Sequence, residues 1–416
     1  MKKKYLALFI PDLRLFHHAI STNKFLIEKL SEKFEKIFII NAKNLHFFPD
    51  KKDIYNKKYF FINKKNSTVS IINQDLKLPT NIEFFYPLNV KDFKNFIIDK
   101  DLIAINLFGR SFNEIKIHFL LKYFKIKQVR ISNIGNIQYP MTPLKKISLK
   151  PWLYKWQHDF GHKFTVLLSS IGLVAKIDIN FTSNKEIYHA LKKNLKSLIF
   201  KRLNLLYCKE HILVNSRTFD FIASNNITIK ETKIILLDVS FKNEELVAMG
   251  TKLKKKDFKE YYLKMNKLLD YLSKTYKKKV IICLHPKDNL NQKIKIYKKY
   301  KVIKYATKEN ICKAFLVITT DTSAIIDAIF LKKKIIIITS RVMDKNQING
   351  ALGYHKKAGI IKVNLEDDQI EGKFKFLNQL NKAKKNYSNY INKYITPDGK
   401  NIGYKKIIKI IKKRFF

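Results

Sequence analysis

The residues best suited to do chemistry stand where apolar runs stop. Val280–Leu284 is an unbroken β-prone run that ends at His285-Pro286-Lys287-Asp288. A proline disfavours helical backbone at the residue before it, so Pro286 holds His285 extended and fixes its aim. Lys287 adds a cation, and a phosphate at this point would meet an imidazole donor and an ammonium. About 35 residues later, Leu316–Thr319 ends at Thr320-Asp321-Thr322-Ser323, which is expected to open a helix over Ala324–Leu331. Hydroxyls and backbone amides at a helix start form an anion site without glycine, assisted by the helix dipole. A plain N-cap at Asp321 or Thr322 is the alternative, because every helix needs one. Its pairing with the His-Pro strand end points to phosphate.

Glycine scarcity sharpens that reading. The chain has 11 glycines in 416 residues and no Gly-rich loop of the P-loop or dinucleotide type. Phosphate binding therefore falls to a strand-end histidine and to hydroxyls. Three cysteines, Cys208, Cys283 and Cys312, form no CxxC pair. They argue against a disulfide framework or structural zinc and for a reducing compartment. His158 and His162 are four apart but have no third-ligand pattern nearby. With Trp152, Tyr154 and Trp156 they read as a packed aromatic segment.

The elements that must carry these clusters alternate between strand and helix. In the first half, Tyr5–Ile10, Lys36–Asn41, Leu102–Phe108 and Gln128–Ser132 read as strands, with Thr22–Phe34 as a helix. Ser111-Phe112-Asn113-Glu114 has the form of a capping box. Residues 141–208 read as an irregular segment rich in proline and aromatics, followed by a strand at His211–Val214. In the second half, strands are expected at Ile234–Leu237, Val280–Leu284, Val302–Tyr305, Leu316–Thr319, Ile335–Thr339 and Gly359–Val363. The long helix Lys256–Thr275 and a helix over Ile294–Tyr300 fall between them. This pattern predicts an α/β protein of two Rossmann-like parallel-sheet domains facing a cleft, with C-terminal helices packing back. Residues 1–228 form the acceptor-side domain, 229–400 the nucleotide-sugar-binding domain, and 401–416 a basic amphipathic helix.

The stretches "KKKVIICLHPKDN" and "ENICKAFLVITTDTSAIIDAIFLKKKIIIITS" resemble the C-terminal half of GT-B-type bacterial glycosyltransferases that make surface polysaccharide. They are similar to the His-Pro motif and Ser/Thr pair of bacterial sialyltransferases and related capsule enzymes. More loosely they resemble the glycerophosphotransferases of teichoic-acid synthesis and a group of surface carbohydrate biosynthesis proteins. The resemblance implies a metal-independent glycosyltransferase that takes a CMP- or UDP-sugar type donor and a polysaccharide or lipid-linked acceptor. It places His285, Thr322 and Ser323 on the donor phosphate, with Pro286, Lys287, Thr320 and Asp321 in the same two loops. No resident cofactor is implied. The sialyltransferases carry an acidic pair near a glycine in the N-terminal half, whereas Asn133-Ile134-Gly135-Asn136 has no carboxylate. Asp12, at the end of the first strand, and then His17 are the substitute candidates for the base that inverting transfer requires. A nucleotide-sugar epimerase and a CDP-glycerol-type glycerophosphotransferase are alternatives on the same fold.

Charge gives a third alternative. The formal net charge is +49, which invites a non-enzymatic polyanion binder. Arginine, the residue of bidentate base and phosphate readers, occurs only seven times among 83 basic residues. A lysine excess beside abundant Ile, Asn, Phe and Tyr reads as AT-rich codon usage, so nucleic acid is not an expected partner. Pro11, Asp12 and Arg14 cut short the apolar run after Met1-Lys2-Lys3-Lys4, which argues for a first strand over a secretory signal. The longest apolar stretch, Phe164–Ala175, falls short of the ~20 residues a spanning helix needs. A cytoplasmic location is expected, peripheral at the inner membrane. Tyr404, Ile407, Ile408, Ile411 and Phe415 share one helical face, with lysines over the rest. That helix can lie on anionic lipid and can pack its stripe on the protein, and the two readings do not exclude each other.

Overall fold

The computed structural model describes residues 3–10, 23–46, 60–63, 68–71, 78–107, 114–132, 160–161, 164–193, 208–225, 229–238, 255–285, 288–304, 306–343, 345–367 and 377–416. They fall into two compact units. The first holds the described residues before 134, those from 160 to 217, and those from 400 to the end; the second holds those from 218 to 399.

The first unit is built on a nine-stranded sheet. Its strands are β1 (Lys3–Ile10), β2 (Ile37–Asn41), β3 (Phe60–Asn63), β4 (Thr68–Ile71), β5 (Ile82–Phe85), β6 (Lys100–Asn106), β7 (Lys127–Ser132), β8 (Ile177–Thr182) and β9 (Cys208–Leu213). The order is β3-β4-β5-β2-β1-β6-β7-β8-β9. Pairing from β5 through β9 is parallel, and the β3–β4 hairpin adds two antiparallel strands at one edge. Central β1 is buried on both faces, as parallel strands covered by helices are. Leu6, Leu8 and Ile10 pack on one side and Ala7 and Phe9 on the other.

The terminal helix, Gly403–Phe415, packs its apolar stripe inward. Ile407, Ile408 and Ile411 join the core under β1 and β2, with Tyr404 and Phe415 at its margin. Each buried isoleucine contributes about 1.5–3 kcal/mol. Lys406 donates to the Leu213 carbonyl at 3.0 Å and Lys4 to that of Phe415 at 2.8 Å. The stripe packs back on the protein, and Lys405, Lys409, Lys412 and Lys413 face outward.

The stretch expected to be irregular contains β8 and the helix Lys185–Lys193. Ile177, Ile179 and Phe181 alternate with Asp178, Asn180 and Thr182, a pattern of one apolar and one polar sheet face. The neighbouring prolines and tryptophans obscure it.

The second unit carries a six-stranded, wholly parallel sheet: β10 (Lys233–Leu237), β11 (Lys279–Cys283), β12 (Lys301–Ile303), β13 (Ala314–Thr319), β14 (Lys334–Thr339) and β15 (Ile361–Asn364). Its order is β12-β11-β10-β13-β14-β15. The unbroken isoleucines of β14 are buried on both faces, as their run predicts. Helix Lys255–Tyr276 lays Tyr262, Met265, Leu269 and Leu272 on one side of the sheet. The helix placed at Ile294–Tyr300 from sequence instead spans Leu290–Ile296. Asn289 caps it by accepting from Gln292 N–H at 3.1 Å, and Lys293 points inward against the rule that lysines face water. Three helices are followed by lysines in the left-handed region, Lys125, Lys277 and Lys332, where a protein richer in glycine would usually place that residue.

Candidate functional site

In an open parallel sheet, ligands approach the carboxyl ends of the strands. In the second unit β10 lies between β11 and β13, so the three segments leaving those ends are neighbours. They carry Asp238, the His285 loop and Thr320–Ser323 respectively. Two strand spacings separate β11 from β13, about 10 Å. The two clusters singled out by sequence are therefore brought to one edge, on either side of Asp238.

His285 is half-buried and follows Leu284, whose N–H bonds the Ile303 carbonyl at 2.9 Å. Its own carbonyl accepts from Asp288 N–H at 3.0 Å, closing the turn. Pro286 and Lys287 lie outside the described residues, as do Asp12 and His17. Thr320 is 1 % exposed, and its Oγ1 is buried with no hydrogen-bond partner. Its hydroxyl faces the interior rather than solvent. Asp321 and Thr322 are half-buried and Ser323 is exposed.

The helix expected to open at Ala324 begins at Ile325 and has six residues, ending at Phe330. Ala324 occupies the cap position and offers no side-chain oxygen. Thr322 Oγ1 instead accepts from Ala324 N–H at 3.4 Å. So short a helix has little macrodipole, and an anion here would rely on loop amides and hydroxyls. Asp321 has a different seat. Its carboxylate lies over Gly350 in the helix Lys345–Ala358, where any Cβ would overlap it.

Behind the His285 loop is a buried polar cluster that sequence reading missed. Lys293 Nζ lies 2.5 Å from Asp238 Oδ2, 2.5 Å from Tyr262 Oη and 3.6 Å from Asp288 Oδ2. Tyr297 Oη donates to Asp238 Oδ1 at 3.0 Å. The Lys293, Asp238 and Asp288 side chains are 8 %, 1 % and 7 % exposed. Burial holds the Asp238 carboxyl above its usual range, against the pull of Lys293. Asp288 adds like charge in the same direction. The Tyr262 and Tyr297 phenols are raised as well, chiefly by burial. The available signal was Asp238 directly after a buried strand, but its partners are far away in sequence.

Among the described residues, no group of three or more His, Cys, Asp or Glu is placed to hold a metal ion. No described helix is long and apolar enough to cross a membrane. Cys208, Cys283 and Cys312 are buried and form no disulfide with one another, and burial raises the thiols of Cys283, to about 12, and Cys312.

No protein-family model and no curated protein matches the chain. Solved structures do. S. aureus MnaA, solved with UDP, matches with TM-score 0.52 and 12 % identity over 99 % of this chain and 96 % of its own. UDP-GlcNAc 2-epimerase from Neisseria meningitidis, solved with UDP-GlcNAc, gives 0.50 and 14 %, covering 99 % and 100 %. The wall teichoic acid polymerase TagF gives 0.52 and 11 %, covering 99 % and 88 %. The fold is GT-B. At these identities the likeness extends to the fold, and it lends no support to the sialyltransferase-like reading of the two motifs.

Proposed function

We propose that this GT-B protein is a glycosyltransferase that moves a sugar from a nucleotide donor to a glycan or lipid-linked acceptor of surface polysaccharide synthesis. The observation that carries the reading is the placement of His285 and of Thr322 with Ser323 at the carboxyl ends of β11 and β13, on either side of β10. In this reading His285, Lys287, Thr322 and Ser323 hold the donor phosphate and stabilise the leaving group's charge, which is the main catalytic demand. Pro286 fixes the aim of His285. Asp321, seated on Gly350, holds the loop, and Thr320 anchors it from inside. Asp12, or else His17, takes the acceptor's proton. No metal or resident cofactor takes part.

UDP in MnaA and UDP-GlcNAc in the Neisseria epimerase make uridine nucleotides the first donors to test. They also favour a second reading, epimerisation of a UDP-sugar at the same site. TagF keeps glycerophosphate transfer in view. Calorimetry with UDP, CMP, CDP and GDP tests the site: His285→Ala should weaken the preferred nucleotide at least tenfold, and unchanged binding would remove His285 from it. Turnover of donor with no acceptor present selects the epimerase.

We place the protein in the cytoplasm, peripheral at the inner membrane. The apolar stripe of the terminal helix is committed to the core, so contact with lipid would rest on its outward lysines. Binding to anionic vesicles should then vanish in high salt; salt-resistant binding would contradict this.

A further inference from the structure

The cluster behind the His285 loop is costly to build. Desolvating one ammonium and two carboxylates opposes folding, and apolar side chains of the same size would pack there as well or better. What an ion network offers over an apolar one is position, since its atoms must meet at hydrogen-bond distance.

Lys293 is where three segments of the second unit converge. Its ammonium contacts Asp238 at the end of β10 and Tyr262 on the helix Lys255–Tyr276, and it stands 3.6 Å from the Asp288 carboxylate. Asp288 is three residues beyond His285 and donates its N–H to the His285 carbonyl at 3.0 Å. Lys304 Nζ donates to the Asp288 carbonyl at 2.9 Å. Asp288 Oδ2 is buried and has no hydrogen-bond partner, so the Lys293 charge is what compensates it. Moving Lys293 would release Asp288, and through the turn it would release His285.

We propose that Lys293 is a positioning residue for His285, acting through Asp288 to fix where the imidazole stands at the sheet edge. The consequence for nucleotide affinity rests on His285 being a donor-phosphate ligand; the consequence for loop order does not.

The test uses the full-length protein, with UDP and CMP as calorimetric probes and hydrogen-exchange mass spectrometry over residues 284–289. Asp288→Asn keeps the shape and removes the charge, and Lys293→Met removes the ammonium. Both variants should exchange the loop at least tenfold faster and weaken the better nucleotide about tenfold; in Asp288→Asn, which leaves Lys293 paired with Asp238, β14 should exchange as in the parent. The double variant His285→Ala/Asp288→Asn should bind as weakly as His285→Ala alone, because one change acts through the other. A purely structural role predicts additive losses, and faster exchange across the whole unit in Asp288→Asn, and either result overturns the proposal. If Lys293→Met does not fold, Asp288→Asn decides alone. If the parent binds neither nucleotide, the donor-site reading fails, while loop exchange still tests the positioning.

Discussion

The carboxyl edges of the two sheets are furnished differently. In the first unit, β2, β6, β7 and β8 end at Asn41, Asn106, Ser132 and Thr182, and the chain beyond β8 and β9 continues with Ser183, Asn184, Asn215 and Ser216. Among the described residues these strand ends carry neutral amides and hydroxyls, several of them hydrogen-bonded; Asp12, which follows β1, lies outside the described residues. Asn41 accepts from Lys43 N–H at 3.0 Å, Asn106 donates to Gln128 at 3.1 Å, and Asn215 donates to the Asn401 carbonyl at 2.6 Å. In the second unit the same edge carries Asp238, His285, Asp288 and Asp321, with Lys293 beneath. A neutral edge tolerates burial cheaply through hydrogen bonds. A charged edge must be compensated at every carboxylate and holds its loops by stronger, position-specific forces. Among the described residues, the charged edge belongs to the unit proposed to bind phosphate.

The sharpest way to break this comparison is to remove the compensating cation. Lys293→Met leaves two carboxylates buried without their partner, and a loss of about 3–5 kcal/mol is expected in urea unfolding. Removing one of the two carboxylates as well, Lys293→Met with Asp238→Leu, should recover part of it, with Asp288 still uncompensated. If the single variant loses less than about 1 kcal/mol, the cluster does not organise this edge.

Next in size is Gly350→Ala. A methyl there overlaps the Asp321 carboxylate, so that side chain must swing away, or the helix Lys345–Ala358 or the 320–323 loop must yield. Overpacking of this kind costs about 1–3 kcal/mol. Adding Asp321→Ala should restore most of the stability, and a double-mutant cycle with no coupling would refute the contact.

The Asp238 titration tests the electrostatic account more finely. Its folded-state pKa is raised above the ordinary 3.8, so the folded protein holds that proton more tightly than the unfolded chain does. Stability is therefore greatest below 3.8 and declines as pH climbs towards the folded value, by up to about 1.4 kcal/mol per pH unit from this group. In Asp238→Asn that component disappears. Urea midpoints measured from acid to neutral pH should fall more steeply for the parent than for the variant, and parallel curves would contradict the raised pKa.

Legibility in the sequence followed the range of the interactions. The strand ends at His285 and Thr320 were visible because apolar runs of β11 and β13 stop at polar residues, which is local information. The terminal helix was visible through its stripe, although only the structure placed that stripe in the core. The clamp was not legible. Asp238 and Lys293 are 55 residues apart, and nothing in either neighbourhood announces the other. Inward-facing Lys293 also defeats the apolar periodicity that would have located its helix, which is why that element was placed some four residues too late. Asp321 on Gly350 was hidden for the same reason, since a contact between a loop and a helix distant in sequence leaves no local pattern.

The smallest effect makes the comparison most pointed. Lys3 Nζ and Glu35 Oε1 in the first unit are 2.5 Å apart, the same separation as Lys293 and Asp238. The side chains of the first pair are 56 % and 71 % exposed, however, against 8 % and 1 % for the second. Water solvates Lys3 and Glu35 almost as well apart as together, and salt screens what attraction remains. Lys3→Ala should leave the urea midpoint within the scatter of replicate parent curves at every sodium chloride concentration. Lys293→Met should shift it at any salt concentration, because its partners are sealed from ions. If the two substitutions proved equally costly, bond length rather than burial would set the worth of these pairs, and the contrast between the two edges would lose its physical basis.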